Sequence, residues 1–229
     1  MATQLRDGVW WIDGTGVNAY LLESADGLTL VDAGMAFDHS RIVATIYDAG
    51  YDVADLDRIL LTHYDIDHVG ALGRLETDAP IHIGAGDAPF LLGEKRPPWR
   101  SVKGFTQFAA SPFCPSVPED RIRSVEDGDR IGGFEAFHAP GHTPGHTVYV
   151  HESREVAFLG DLVIEWNGAL RPAPRVLCYD QAKSKESIVR VADRTPDFEA
   201  AGMGHGTPFE RGGRERLDEL ADSLRSRAI

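Results

Sequence analysis

The amino-acid sequence predicts an α+β fold in which two β-sheets pack together and carry helices on their outer faces. Three observations lead there. Short β-rich runs alternate with Asp-Gly and Gly turns through the first third of the chain. Strand-like runs resume between residues 121 and 159, and segments with helical spacing of apolar residues close each strand-rich half. The chain has 229 residues, 42% of them hydrophobic, which suffices for one substantial core and is short for two enzymatic domains. A single domain over 1–229 is therefore expected.

The elements follow in order. Val9 to Ile12, Asn18 to Leu22 and Leu28 to Val31 are separated by Asp13-Gly14, Gly16 and Asp26-Gly27, the pattern of antiparallel hairpins. Between Asp38 and Asp48, residues Ile42, Val43 and Ile46 share one helical face, and Gly50 stops the helix. Arg58 to Leu61 reads as a buried strand running into a ligand-rich loop. A helix over Val69 to Leu75, a strand at Ile81 to Ile83 and a helix at Asp87 to Leu92 come next. From Glu94 to Asp120, Pro97, Pro98, Pro112, Pro115 and Pro118 interrupt regular structure while Trp99, Phe105, Phe108 and Phe113 keep the stretch apolar. A segment of this composition is expected to be a lid, a specificity insertion or an oligomer contact. Strands are then expected at Arg121 to Val125, Arg130 to His138, Thr147 to Val150, Val156 to Leu159 and Phe198 to Met203, with helices near Ala182 to Ala192 and Glu215 to Leu224.

Composition narrows the function. A formal net charge of −13 opposes the phosphates of nucleic acids and anionic membrane surfaces, so a small-molecule substrate is the expected partner. The N-terminus lacks the charged and apolar regions of a secretory signal, and no apolar run approaches about 18 residues, so a cytoplasmic location is expected. Cys114 and Cys178 form no CxxC pair and read as ordinary thiols. Lys95, Lys103, Lys183 and Lys185 are the only lysines, and aspartate outnumbers glutamate. That bias suits the acidic surface of a salt-loving organism's protein, and a GC-rich genome would produce it equally. Oligomeric state is open, a homodimer being compatible with all of this.

The chemistry concentrates in a few segments. THYDIDH, at 62 to 68, follows a strand and places His63, Asp65, Asp67 and His68 where one turn can bring four metal-ligand side chains to a point. His142 lies in APGHTPGH between two strands, Asp161 ends the strand AFLGD, and His205 sits in MGHG between two glycines. Asp32 ends LTLVDAG and is placed to orient a ligand histidine. His146 is expected to support the site rather than ligate. His39, His82, His138 and His151 lie outside the motifs. Tyr64 and Trp166 are equally suited to pocket lining or core packing. Arg171 and Arg175 read as surface charge.

With LVDAG at 30 to 34, LLTHYDIDHVG at 60 to 70, APGHTPGHT at 139 to 147, FLGD at 158 to 161 and GHG at 204 to 206, the sequence resembles the metallo-β-lactamase superfamily, in particular its glyoxalase II-like hydrolases. The resemblance implies the four-layer αββα sandwich. It implies a first metal held by His63, Asp65 and His142, a second held by Asp67, His68 and His205, and Asp161 between them. It also implies hydrolysis of an ester, thioester, lactone or similar bond by a bridging hydroxide, which Asp67 would orient.

One position departs from the family pattern: HxDxDH replaces HxHxDH, with Asp65 where histidine is usual. A third carboxylate beside Asp67 and Asp161 lowers the charge of the site by one, so bound water would be acidified less and harder ions such as Mn²⁺ or Fe²⁺ would gain on Zn²⁺. Alternatively Asp65 is too short to reach, and the first ion binds weakly or not at all. Two other function classes stay open. A non-haem di-iron redox protein is one, since flavodiiron proteins carry a carboxylate at this position. A binding module on a degenerate metal site is the other.

Overall fold

The structure is a computed structural model that describes residues 2–97, 102–110 and 115–227. Trp99, Phe113 and Cys114 lie outside the described residues. The first sheet holds β1 (Thr3–Arg6), β2 (Val9–Asp13), β3 (Asn18–Ser24), β4 (Gly27–Val31), β5 (Leu56–Leu61), β6 (Ile81–Gly84) and β7 (Ile122–Val125) in sequence order. Strands β1 to β4 pair antiparallel as a meander, whereas β4 to β7 pair parallel. Between them come α1 (His39–Asp48), the short α2 (Ile66–Val69), α3 (Ala88–Leu91) and α4 (Val102–Ala110).

The second sheet contains β8 (Arg130–Ile131), β9 (Phe134–His138), β10 (Thr147–His151), β11 (Val156–Gly160) and β14 (Ala200–Met203), in the order β14-β11-β10-β9-β8. A separate hairpin joins β12 (Val163–Trp166) to β13 (Ala169–Pro172), and α5 (Gln181–Arg194) and α6 (Gly213–Arg227) complete the chain.

Three apolar layers account for the stacking. Along β3 the side chains alternate: Ala19 and Leu21 join a cluster with Ile42 and Ile46 of α1, while Tyr20 and Leu22 join another with Phe134, Tyr149 and Phe158 of the second sheet. A third cluster packs Val148, Val150, Ala157 and Leu159 against Ile188 and Val191 of α5 and Leu217 of α6. Helix, sheet, sheet, helix is the expected αββα sandwich.

Three local expectations need correction. The single strand expected over Arg130 to His138 is a hairpin, because Gly132 and Gly133 both take positive φ (53° and 81°) and turn the chain between β8 and β9. The helix expected over Val69 to Leu75 is α2, which begins three residues earlier, followed by a separate 3₁₀ turn at Leu72–Arg74. Within the Glu94 to Asp120 stretch, where the prolines make regular structure hard to assign from sequence, α4 forms over nine residues.

The candidate site residues lie beyond the carboxyl ends of strands, Asp67 and His68 on the short α2 that follows β5. Asp32 follows β4, His63 follows β5, His142 follows β9, Asp161 follows β11 and His205 follows β14. Both sheets therefore present their loop ends on one edge, where rigid strands set the positions of exposed side chains. No helix among the described residues is long and apolar enough to cross a membrane.

Candidate metal centre

The loop after β5 is folded by its neighbours. The Thr62 carbonyl accepts from Thr147 N–H at 2.8 Å, which ties the two sheets together beside His63. Asp65, in extended conformation, starts α2, and its carbonyl accepts from His68 N–H at 2.8 Å, so His63, Asp67 and His68 converge on one side. Asp32 adopts φ 58°, a left-handed conformation open to aspartate, and holds this loop from beneath. Its carboxylate accepts from Thr62 N–H and Oγ1, each at 2.8 Å, and lies 2.8 Å from His68 Nδ1. The bond fixes the His68 ring with Nε2 facing the site.

Asp161 is the hub. Its Oδ1 lies 3.4 Å from His68 Nε2, and its Oδ2 lies 3.2 Å from His205 Nε2 and 3.5 Å from His142 Nε2. Asp67 Oδ2 lies 3.5 Å from His205 Nε2, and His205 Nδ1 donates to the Gly16 carbonyl at 2.6 Å. Among the described residues, two groups have ligand atoms within 4.8 Å of one another: His63, His142 and Asp161, and Asp67, His68 and His205. His63 Nε2, His68 Nε2 and Asp161 Oδ1 are buried and hydrogen-bonded to nothing among the described residues. Buried polar atoms without partners are costly, and a cation in each group would satisfy those that face it. The donor set therefore fits a divalent ion.

The electrostatics agree. Burial favours neutral forms throughout the site, but the carboxylates and imidazoles outweigh it where they meet. Burial acts to raise the Asp161 pKa, yet His68 and His205 hold it well below the usual range. Burial acts to lower His205, yet bonds to Asp161 and Asp67 push it up to about 10. Protons on these imidazoles compensate the carboxylates in the metal-free protein, and a metal would replace them.

His146 does not face the site as a ligand. Its Nε2 accepts from Asp161 N–H at 3.1 Å, which positions the hub from behind. Tyr64 is buried and stacks on Phe90, whereas Trp166 is 63% exposed, and Arg171 and Arg175 are exposed. Cys178 is a free, buried thiol.

Sequence reasoning passed over three residues. Asp87 is buried and accepts from Thr143 Oγ1 and Gly145 N–H, each at 2.6 Å, which anchors the loop carrying His142. Burial pushes its pKa up to about 6, against those bonds. A lone aspartate beside a short helix gives no motif. Lys103 and Gln107 of α4 both reach Asp65. Lys103 Nζ lies 2.6 Å from Asp65 Oδ2 and 2.6 Å from His142 Nε2, and Gln107 Nε2 donates to Asp65 Oδ1. Their i, i+4 spacing was visible, but nothing in the sequence tied that proline-flanked segment to the site.

Asp65 itself sits 3.3 Å from His63 Nε2 and 3.1 Å from His142 Nε2, close enough to share an ion with them. Burial acts to raise its pKa, but Lys103 and then His63 hold it well below the usual carboxylate range.

Replacing Asp32 by alanine would leave Thr62 N–H and His68 Nδ1 without an acceptor. Metal affinity should fall about 10- to 100-fold, with Asp32→Asn intermediate, as measured by competition with a chelating dye. Unchanged affinity in both variants would remove Asp32 from this role.

The comparisons with known proteins agree with the geometry. The family model described as the metallo-beta-lactamase superfamily matches residues 12–205. The probable metallo-hydrolase YflN of Bacillus subtilis (strain 168) is 28% identical over 98% of this chain and 97% of its own. Hydroxyacylglutathione hydrolase GloC of Haemophilus influenzae is 34% identical over 48% of this chain and 51% of its own. Among solved structures, BJP-1, a subclass B3 metallo-beta-lactamase of Bradyrhizobium japonicum, superposes with a TM-score of 0.72 at 23% identity, covering 99% of this chain and 91% of its own. TTHA1623 in a di-iron-bound form has a TM-score of 0.62 at 28% identity, covering 87% and 91%. With its fold, its ordered motifs and its cluster of histidines and aspartates, the chain belongs to the metallo-beta-lactamase superfamily.

Proposed function

We propose that this chain is a metal-dependent hydrolase that cleaves an ester, thioester, lactone or similar bond in a small molecule. One observation carries the reading: the buried, unpartnered atoms of His63, His68 and Asp161 converge on a cluster whose Asp67 and His205 side chains are about 30% exposed. The cluster thus combines cation-seeking donors with access for a substrate. A divalent ion held there would supply Lewis acidity, lowering the pKa of water toward neutrality and polarising an acyl oxygen.

The chain's own residues do the rest. Asp67, His68, His205 and Asp161 form the open cradle, and His63, Asp65 and His142 the inner one. Asp32, His146 and the Gly16 carbonyl fix ring and carboxylate orientations. Asp67 offers a half-exposed carboxylate that accepts a hydrogen bond from water and aims it at the substrate. A cavity of about 340 Å³ beside the cradles, lined by Tyr64, Asp65, Phe90, Lys95, Arg96 and Gln107, offers room for a substrate group.

Chelator-treated protein should lose hydrolysis of an ester, thioester and lactone panel, and Zn²⁺, Mn²⁺ or Fe²⁺ should restore it. Full activity without metal would contradict the reading. A second reading, a di-iron redox protein, draws on the carboxylate at position 65 and on the related structure solved in a di-iron-bound form. Iron in the purified protein with O₂ or NO consumption and no hydrolysis would decide for it.

A further inference from the structure

We propose that Lys103 is the resident cation of the inner cradle, so that its ammonium replaces the first divalent ion and the centre holds one metal, at Asp67, His68, His205 and Asp161. The inference rests on the metal-dependent reading above and changes its stoichiometry: His63 Nε2, 3.3 Å from Asp65 Oδ2, then faces that carboxylate rather than an ion.

The geometry of His142 is decisive. Lysine can only donate, so at 2.6 Å the ammonium gives a proton to the Nε2 lone pair of His142, which places that ring's own proton on the buried Nδ1. An imidazole nitrogen has one lone pair. It can accept from Lys103 or bind an ion, and it cannot do both.

Asp65 is committed in the same way. Lys103 takes Oδ2 at 2.6 Å, and Gln107, one helical turn along the same face, takes Oδ1. Gln107 is held in turn: its carbonyl oxygen is approached by the hydroxyls of Tyr64, at 2.5 Å, and Tyr179. The two hydroxyls lie 2.7 Å apart, so two protons serve three short contacts. The Lys103 side chain is only 4% exposed, which buries the ammonium against its acceptors.

Electrostatics point the same way: an ion in the inner cradle would face an ammonium already 2.6 Å from both Asp65 and His142, two of the residues that would hold it. Asp65 also acquires a reason. A neutral histidine there would offer a buried ammonium no opposing charge, so the HxDxDH departure and Lys103, 38 residues later, form one feature.

Native mass spectrometry with elemental analysis, during titration with Zn²⁺ or Mn²⁺, tests this. Wild type should saturate at one ion per chain, whereas Lys103→Met and the double variant Asp65→His/Lys103→Met should reach two. Two ions in wild type, or one in Lys103→Met, would overturn the proposal and leave the hydrolase reading standing. No ion in any of the proteins would overturn that reading as well. Reductive methylation of the folded wild type gives a measurement independent of any variant. The exposed Lys95, Lys183 and Lys185 should react while Lys103 stays protected, with and without saturating Mn²⁺. Metal-induced methylation of Lys103 would show that an ion displaces it, and would overturn the assignment.

Discussion

Asp161→Ala is expected to lose tight metal binding altogether, with affinity falling by at least about 100-fold. Partners that merely orient ligands contribute about 10- to 100-fold, and Asp161 touches the site directly. Its two oxygens lie within 3.5 Å of His68, His142 and His205, so no neighbouring carboxylate can substitute for it. Thermal unfolding gives a convenient measure. At a metal concentration a hundredfold above Kd, binding stabilises by about 2.7 kcal/mol, and a 100-fold loss of affinity leaves about 0.4 kcal/mol. Hydrolysis should fall with it. A variant whose metal-induced stabilisation matched wild type would remove Asp161 from the centre.

Gly204→Ala should be nearly as damaging, although it removes no ligand. A β-carbon at this position would overlap Asp161 Oδ1 and come within 2.6 Å of His68 Cε1. The backbone cannot retreat easily. Gly204 N–H donates to the Gly160 carbonyl at 3.1 Å, and its own carbonyl accepts from Asn18 N–H at 2.8 Å. One methyl group must therefore push two metal-cradle side chains apart or break the register of β14 with β11. Overpacking of this kind costs about 1–3 kcal/mol, and misplaced ligands should lower metal affinity by about 100-fold. Gly50→Ala is the control. Gly50 has φ 94° and nothing within 4 Å of the added carbon, so that variant should lose stability and keep its metal affinity. Equal metal affinity in Gly204→Ala and Gly50→Ala would contradict the argument.

The extent to which this site was legible follows the kind of signal each residue leaves. His63, Asp67, His68, His142, Asp161 and His205 stand in short motifs at strand ends, and the strands are marked by alternating apolar residues and by Asp-Gly turns. Periodicity and motif together sufficed for the sandwich and for the position of each candidate ligand along the chain. Asp32 was legible for the same reason, as the last polar residue of an apolar strand.

Lys103, Gln107 and Asp87 left no such mark. Their importance arises from long-range contacts: 38 residues separate Lys103 from Asp65, and 56 separate Asp87 from Thr143. Prolines on both sides masked α4, a nine-residue helix too short to be stable without packing against the rest of the fold. The glycine pair at Gly132 and Gly133 was overlooked for a simpler reason. The apolar pattern continues through it, and only the positive φ angles show that the chain turns. Asp65 was recognised as a departure from the family pattern, but its meaning depended on a lysine that only the fold brings beside it.

The most direct test of the metal centre is a crystal structure of the purified, metal-loaded protein, with diffraction recorded on either side of the bound metal's absorption edge. The expected result is an anomalous peak enclosed by Asp67, His68, His205 and Asp161. An anomalous map with no peak among these four residues, from crystals shown by elemental analysis to contain the metal, would contradict the account.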